Sequence, residues 1–285
     1  MEGSLPRSDA RKCLVALAGL LAAGAGCSAQ PFVAVDPYPC VDGGVVSCGP
    51  GLLDDLVGYW RLNDAAGGTM AHDWSTWGNT GTLTNLDASS AWVNGGPEGS
   101  ALSVQGKGYV NVPDSSSIDS ITTQVTVAAW IYLDQMNTDF ATAISRQIGG
   151  GLGQLYHLNI NPTQHAGLYI SPTAADLNYL TSPATMPLQT WIHLAGTWDG
   201  QVAILYVDGT QVASHAVSGP LASETNPVVL GGNGNGADRA VTELVTGRLA
   251  DVMLYRRALG PAEIARLAKG PLLPPVPSRP DAGHD

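Results

Sequence analysis

Five glutamates, Glu2, Glu98, Glu224, Glu243 and Glu263, are the acids from which a glycosidase pair would first be drawn. A retaining glycosidase needs two carboxyl groups about 5–5.5 Å apart, which on a single strand means an i, i+2 or i+4 spacing on one face. No two of these glutamates stand that close in sequence. Asp54 and Asp55 are adjacent and would point to opposite faces of a strand. A pair assembled from different strands stays open, but nothing in the sequence marks one. Gly-x-Ser-x-Gly and His-Glu-x-x-His are absent, and the six histidines are scattered without ligand spacing. The residue types favour binding over catalysis.

Aromatic side chains carry the binding signal. Sugar rings present apolar C–H faces that stack on Trp and Tyr, whose stiff side chains lose little entropy when they bind. Trp74 and Trp77 fall in HDWSTWGNTGTLTN (72–85), which reads as a loop, and two tryptophans there need a cover. That cover is either a ligand or partner, or the segment 28–52 of the same chain. Trp92, Tyr169 and Tyr179 are further candidates. Trp60, Trp130, Trp191 and Trp198 sit within strand patterns and are assigned to the core.

The elements that must position these rings are strands. VTVAAWIYL (125–133), YHLNI (156–160), AGLYIS (166–171) and PVVLGG (227–232) are β-branched or aromatic runs bounded by turn residues. In WIHLAGTWDGQVAILYVDGTQVASHAV (191–217), Asp199-Gly200 and Asp208-Gly209 each separate two apolar runs. Asp-Gly suits a type I′ turn, so the segment predicts a three-stranded antiparallel meander. Ala203, Leu205 and Val207 would then face one side of its middle strand, and Ile204 and Tyr206 the other. One helix is expected, PAEIARLA (261–268), opened by Pro261. Many short strands with Gly-rich turns and one short C-terminal helix predict an all-β fold, a two-sheet antiparallel jelly-roll sandwich, over residues 53–270.

The flanks read differently. Arg7, Arg11 and Lys12 precede an apolar run, Cys13–Ala25, too short for a stable membrane anchor, so residues 1–26 read as a signal peptide. Gly24-Ala25-Gly26-Cys27 resembles a bacterial lipobox with Cys27 as the lipidated residue, although Leu is usual where Gly24 stands. Ordinary cleavage near Ala29 is the alternative. Residues 27–52 form a tether in which Cys40 and Cys48 would close a small disulfide loop in an oxidising compartment, or remain free thiols. Residues 271–285, PLLPPVPSRPDAGHD, predict an extended proline-rich tail. The expected location is the outer membrane or cell surface, otherwise periplasmic or secreted. A net charge of -11 excludes a nucleic-acid binder. It also leaves a lipid anchor as the only means of membrane attachment.

Six segments in order resemble the laminin-G-like jelly rolls of the concanavalin A-like lectin/glucanase superfamily. They are LVGYWRLND (56–64), HDWSTWGNTGTLTN, ALSVQGKGYVNVPDSSSID (101–119), VTVAAWIYL, the 191–209 meander and GRLADVMLYRRALGPAEIARL (247–267). The resemblance implies the fold strongly and the function weakly, because this fold hosts lectins, adhesive modules and glycosidases alike. It also implies a structural Ca²⁺ held by Asp251 of the closing strand with Asp73 and Asn79 of the early loop. The alternatives are turn formation by Asp73 and Asn79, and an Asp251 salt bridge to Arg248 or Arg256. The chain is thus expected to be a non-catalytic envelope lipoprotein that binds a polysaccharide, a surface glycan or an extracellular protein.

Overall fold

Period-two burial along the strands builds two sheets that share one apolar interior. The computed structural model describes residues 51–149, 153–172, 178–235 and 240–270. The expected signal peptide, Cys27, the Cys40–Cys48 loop and the proline-rich tail lie outside the described residues.

The first sheet runs in the order β14 (Thr210–Ala216), β13 (Val202–Val207), β12 (Trp191–Trp198), β7 (Val125–Leu133), β18 (Gly247–Tyr255), β5 (Ser100–Ser103) and β4 (Trp92–Asn94). β1 (Leu56–Trp60) also pairs with β18. The second sheet runs β11 (Tyr179–Thr185), β10 (His165–Ile170), β9 (Gln154–Ile160), β8 (Ala141–Gln147), β15 (Val228–Leu230), β6 (Tyr109–Val112), β3 (Gly81–Thr84) and β2 (Met70–Ala71). All these pairings are antiparallel. A small separate hairpin joins β16 (Asn233–Asn235) to β17 (Ala240–Thr242). Three helices complete the described chain: α1 (Ala88–Ala91), α2 (Ser116–Asp119) and α3 (Pro261–Leu267).

The meander forms as expected. Ala203 and Leu205 belong to the interior between the sheets with Val207 packed against it, while Tyr206 and Ile204 face the other way, toward α3. Asp208 and Gly209 both take positive φ, 48° and 78°, as a type I′ turn requires. At the other turn only Gly200 does. There the Asp199 carboxylate accepts from the backbone N–H groups of Gln201 and Val202, an Asx turn doing the same job.

Two expectations need correction. The sequence predicts one helix, and among the described residues there are three. α1 and α2 are single turns, capped by Asp87 and by the Ser115 hydroxyl, and one turn is too short to show a 3.6-residue period. Of the four tryptophans assigned to the core, only Trp60 and Trp198 are buried there, each indole N–H bonded to a carbonyl, of Asn79 and Val217. Trp130 and Trp191 stand half-buried on the outer face of the first sheet. Trp130 packs edge-on to His193, and Trp191 tilts against Tyr132.

Candidate functional site

On β6, Val110 and Val112 point into the core, so Tyr109 and Asn111 point out. Register places Asn111 opposite Val229 of β15 and opposite Thr82 of β3, and Tyr109 opposite Thr84. On β8, Ser145 lies across from Val229, so it shares that outer face. The outer face of the second sheet therefore carries polar side chains around one valine.

The β16–β17 hairpin lies against this face. Gly231 turns the chain with a φ of 84°, Ser145 Oγ donates to the Gly232 carbonyl at 3.0 Å, and a side chain on Gly232 would strike Val241. The result is a groove of about 510 Å³. Its floor is Thr84, Tyr109, Asn111, Gln147 and Val229. One wall is Gly234 and Val241 of the hairpin, the other is Thr225–Pro227, and Asp114 and Pro113 form an end.

Arg146 builds the second wall. Its side chain is 2% exposed and reaches out of β8 between two loops. Nε donates to the Asn226 carbonyl, Nη1 to the Ile118 carbonyl, and Nη2 to the Glu224 carbonyl. Nη2 also meets Asp114 at 2.8 Å and Asp119 at 2.6 Å. Asn226 extends the wall by donating its Nδ2 to the Gln147 and Gly149 carbonyls. Burial raises the Asp114 carboxyl above its ordinary range, against the opposing pull of the Arg146 charge.

On the far side of β8, Tyr169 and Tyr179 come together on the same outer face. They are cross-strand neighbours, as are Tyr169 and His157, so the three rings stack. Tyr169 and Tyr179 are 4.1 Å apart at 18°, and His157 and Tyr169 are 5.4 Å apart at 9°. Gly167 makes this possible, since a Cβ there would lie 2.2 Å from the Tyr179 hydroxyl. Glu243 anchors the inner end, accepting from Thr142 at 2.9 Å and meeting His157 Nε2 at 3.0 Å.

The other aromatic candidates separate. Trp74 and Trp77 are 38% and 46% exposed, and each lies under a guanidinium, of Arg61 and Arg256 respectively. Trp92 is not with them. It donates to the Gly68 carbonyl and packs against the main core, so its ring serves the fold.

The ligand set expected for Ca²⁺ is not assembled. Both Asp73 oxygens are engaged: Oδ1 by the N–H groups of Tyr59 and Ser75, Oδ2 by the Ser75 hydroxyl and the Asn79 N–H. Asn79 is buried, donating to the Val57 carbonyl and Ser117 and accepting from Ser115. These are turn-forming bonds, and they occupy the Asp73 and Asn79 side-chain oxygens without a cation. Among the described residues no group of three or more His, Cys, Asp and Glu side chains could hold a metal ion.

Asp251 belongs to a different cluster. Neither Arg248 nor Arg256 is its partner; those pair with Asp134 and Asp55. Asp251 sits at a bulge of β18 with a φ of 47°, and its Oδ1 accepts from the Tyr59 hydroxyl at 2.9 Å. Beside it Glu98 pairs with Arg61 at 2.7 Å, with only 6% and 3% of those side chains exposed. Burial first, and then the Glu98 charge, push the Asp251 carboxyl up to about 8. Two carboxyls from different strands and loops do meet here, as the sequence left open. They are almost fully buried, with one oxygen of Glu98 engaged by Arg61 and one of Asp251 by Tyr59.

This cluster sets a pH dependence. Between about pH 4 and pH 8 the folded protein keeps a proton on Asp251 that the unfolded chain releases. Its contribution to stability is complete below the unfolded value and falls as the pH rises through that window, at up to about 1.4 kcal/mol per unit. Asp251→Asn tolerates the same positive φ and keeps an acceptor for Tyr59. Urea denaturation at about pH 5 and about pH 8 should show a flatter slope in the variant and a gain in stability at the higher pH. Parallel slopes for the two proteins would remove Asp251 as the cause.

The two-sheet architecture and its outer-face groove define a lectin-like β-sandwich. A family profile, Laminin_G_3 of the concanavalin A-like lectin/glucanases superfamily, matches residues 104–265, and the chain belongs to that family. No curated protein matches. Among solved structures, the binding domain of Paraclostridial Mosquitocidal Protein 1 is 14% identical with a TM-score of 0.58, over 76% of this chain and 52% of that one. Domain 4 of AbnA, a GH43 extracellular arabinanase from Geobacillus stearothermophilus in complex with arabinotriose, is 18% identical. Its TM-score is 0.54, over 75% of this chain and 98% of that one. A Trypanosoma rangeli sialidase is 17% identical with a TM-score of 0.56, over 82% of this chain and 35% of that one. This chain thus spans about half of the mosquitocidal domain and about a third of the sialidase. At these identities the likeness is one of fold.

None of the groove residues is among those the sequence singled out, although Tyr169 and Tyr179 lie on the same face. The available signal was YVNV, whose alternation turns Tyr109 and Asn111 outward beside the Thr82 and Thr84 alternation of GTLT.

Proposed function

We propose that this chain is a non-catalytic, lipid-anchored envelope protein, attached through Cys27, that holds a polysaccharide or surface glycan in the groove of the second sheet. The observation that carries this reading is the groove itself. It is open, about 510 Å³, and offers the Asn111 amide, the Asp114 carboxylate, the Thr84 hydroxyl and the Tyr109 ring on one floor and rim. That mixture of planar hydrogen-bonding groups and an aromatic face suits the hydroxyl edges and C–H faces of a sugar. The arabinanase domain solved with arabinotriose supports the capacity of this fold for sugar. The non-catalytic part of the reading rests on the seclusion of Glu98 and Asp251.

A glycan-array screen of the purified protein, run in Ca²⁺ and in chelator, tests it. Selective binding that survives chelation is the expected result. Binding lost in chelator would restore a metal to the mechanism, and no binding by a folded protein would reject the glycan reading. Hydrolysis of a bound glycan would reject the non-catalytic part.

One observation favours a second reading, a protein-adhesion module. Trp74 and Trp77 are exposed large apolar side chains in one loop. Loss of partner capture in Trp74→Ala/Trp77→Ala, with glycan binding unaffected, would establish that role.

A further inference from the structure

The groove has a charge character that restricts its ligand. Among the described residues no Lys, Arg or His lines it, and its one carboxyl group is that of Asp114. The cation that holds the groove's 225–227 wall is Arg146, and that guanidinium is spent. Its nitrogens are satisfied by three carbonyls and two carboxylates, and it is almost fully buried. Asp114 and Asp119 together outweigh the single positive charge of Arg146. The local balance is negative, and the chain as a whole carries a net charge of -11.

An anionic ligand here would bring a carboxylate or sulfate next to Asp114 in a partly desolvated groove, with no donor cation among the described lining residues to receive it. Like charges at close range in such a setting repel, and a desolvated unpaired charge adds its own penalty. A protonated amine meets the opposite situation. Asp114 gives Oδ1 to Arg146 and is about a quarter exposed, so its carboxylate still faces the groove.

We propose that the groove selects neutral and amine-bearing glycans and rejects uronate, sialate and sulfated ones, with Asp114 as the specificity-determining residue. The inference rests on the glycan reading of the same groove and narrows it to a charge class.

The test uses the full chain and a matched series on an array: an N-acetylhexosamine oligomer, its deacetylated amine counterpart and a uronate oligomer, together with a general panel of neutral glycans. The amine form should bind about fivefold more tightly than the acetylated one at low salt, and that advantage should shrink as salt rises. The uronate should not bind. Asp114→Asn should bring the amine and acetylated forms to equal affinity, and Asp119 still pairs with Arg146 to hold the fold. The salt dependence of the unaltered protein gives the same answer without a variant. Uronate binding as tight as neutral binding, or an amine advantage that survives both high salt and Asp114→Asn, would overturn the proposal and leave the glycan reading intact. Absence of binding across the whole panel would overturn both.

Discussion

Arg146→Met should destabilise the protein by about 3–5 kcal/mol, the range for removing one partner of a buried ion pair. The side chain satisfies the carbonyls of Ile118, Glu224 and Asn226 and pairs with both Asp114 and Asp119. Methionine keeps most of the length and restores none of the donors. Three carbonyls then lose their partner, and the Asp114 carboxyl, whose proton affinity Asp119 already raises, is left beside it without the guanidinium. Lysine would rescue little, because one ammonium cannot reproduce a planar fork that reaches five acceptors. Against a typical domain stability of about 5–15 kcal/mol the loss is large. Acidification should lessen it, since a protonated Asp114 no longer repels its neighbour. Urea denaturation at neutral and acid pH measures both effects. A cost below about 1 kcal/mol would mean that the hub adds little beyond a surface pair. Because residues 225–227 form a groove wall, the same variant should bind glycan poorly even where it remains folded.

Asn111→Trp should abolish glycan binding, by more than tenfold, with stability altered by no more than about 0.5 kcal/mol. Asn111 is half-exposed and central on the groove floor, and its backbone bonds to β3 and β15 do not depend on the side chain. An indole there fills the space a sugar ring would take. The contrast is with Trp74→Ala/Trp77→Ala, which changes a different surface and should leave glycan binding within about twofold of the parent. Titration of both variants with the best array hit separates the two surfaces. Equal losses in both would place the ligand elsewhere or across both.

Much of the fold was legible because it is written locally. The alternation of Ala203, Leu205 and Val207 with Ile204 and Tyr206 needs no distant partner, nor do the turns after them. What stayed hidden was what pairing over long separations creates. β15 slots between β6 and β8, and only that register brings Asn111, Val229 and Ser145 into one row. Arg146 acts through the groups it collects from residues 114–119 and 224–226. Asp251 likewise meets Tyr59 and the Glu98–Arg61 pair across most of the chain length, so its sequence neighbours Arg248 and Arg256 were misleading candidates. Asp73 and Asn79 behave as their residue types suggest in a loop, forming turn bonds. Trp130 and Trp191 show the limit of counting strand tryptophans as core: on a strand a tryptophan faces inward or outward with equal ease, and Trp191 satisfies its N–H outside the core, on the Gly95 carbonyl.

The claim at the centre of this account is that glycan sits in the groove under the β16–β17 hairpin. An amide chemical-shift map of the chain, titrated with the tightest array ligand, tests it most directly. Shifts should concentrate at Asn111, Gln147, Asn226, Val229 and Val241, and they should vanish in Asn111→Trp. Shifts confined to the loop of Trp74 and Trp77, or to the outer face of the first sheet around Tyr132 and Trp191, would contradict it.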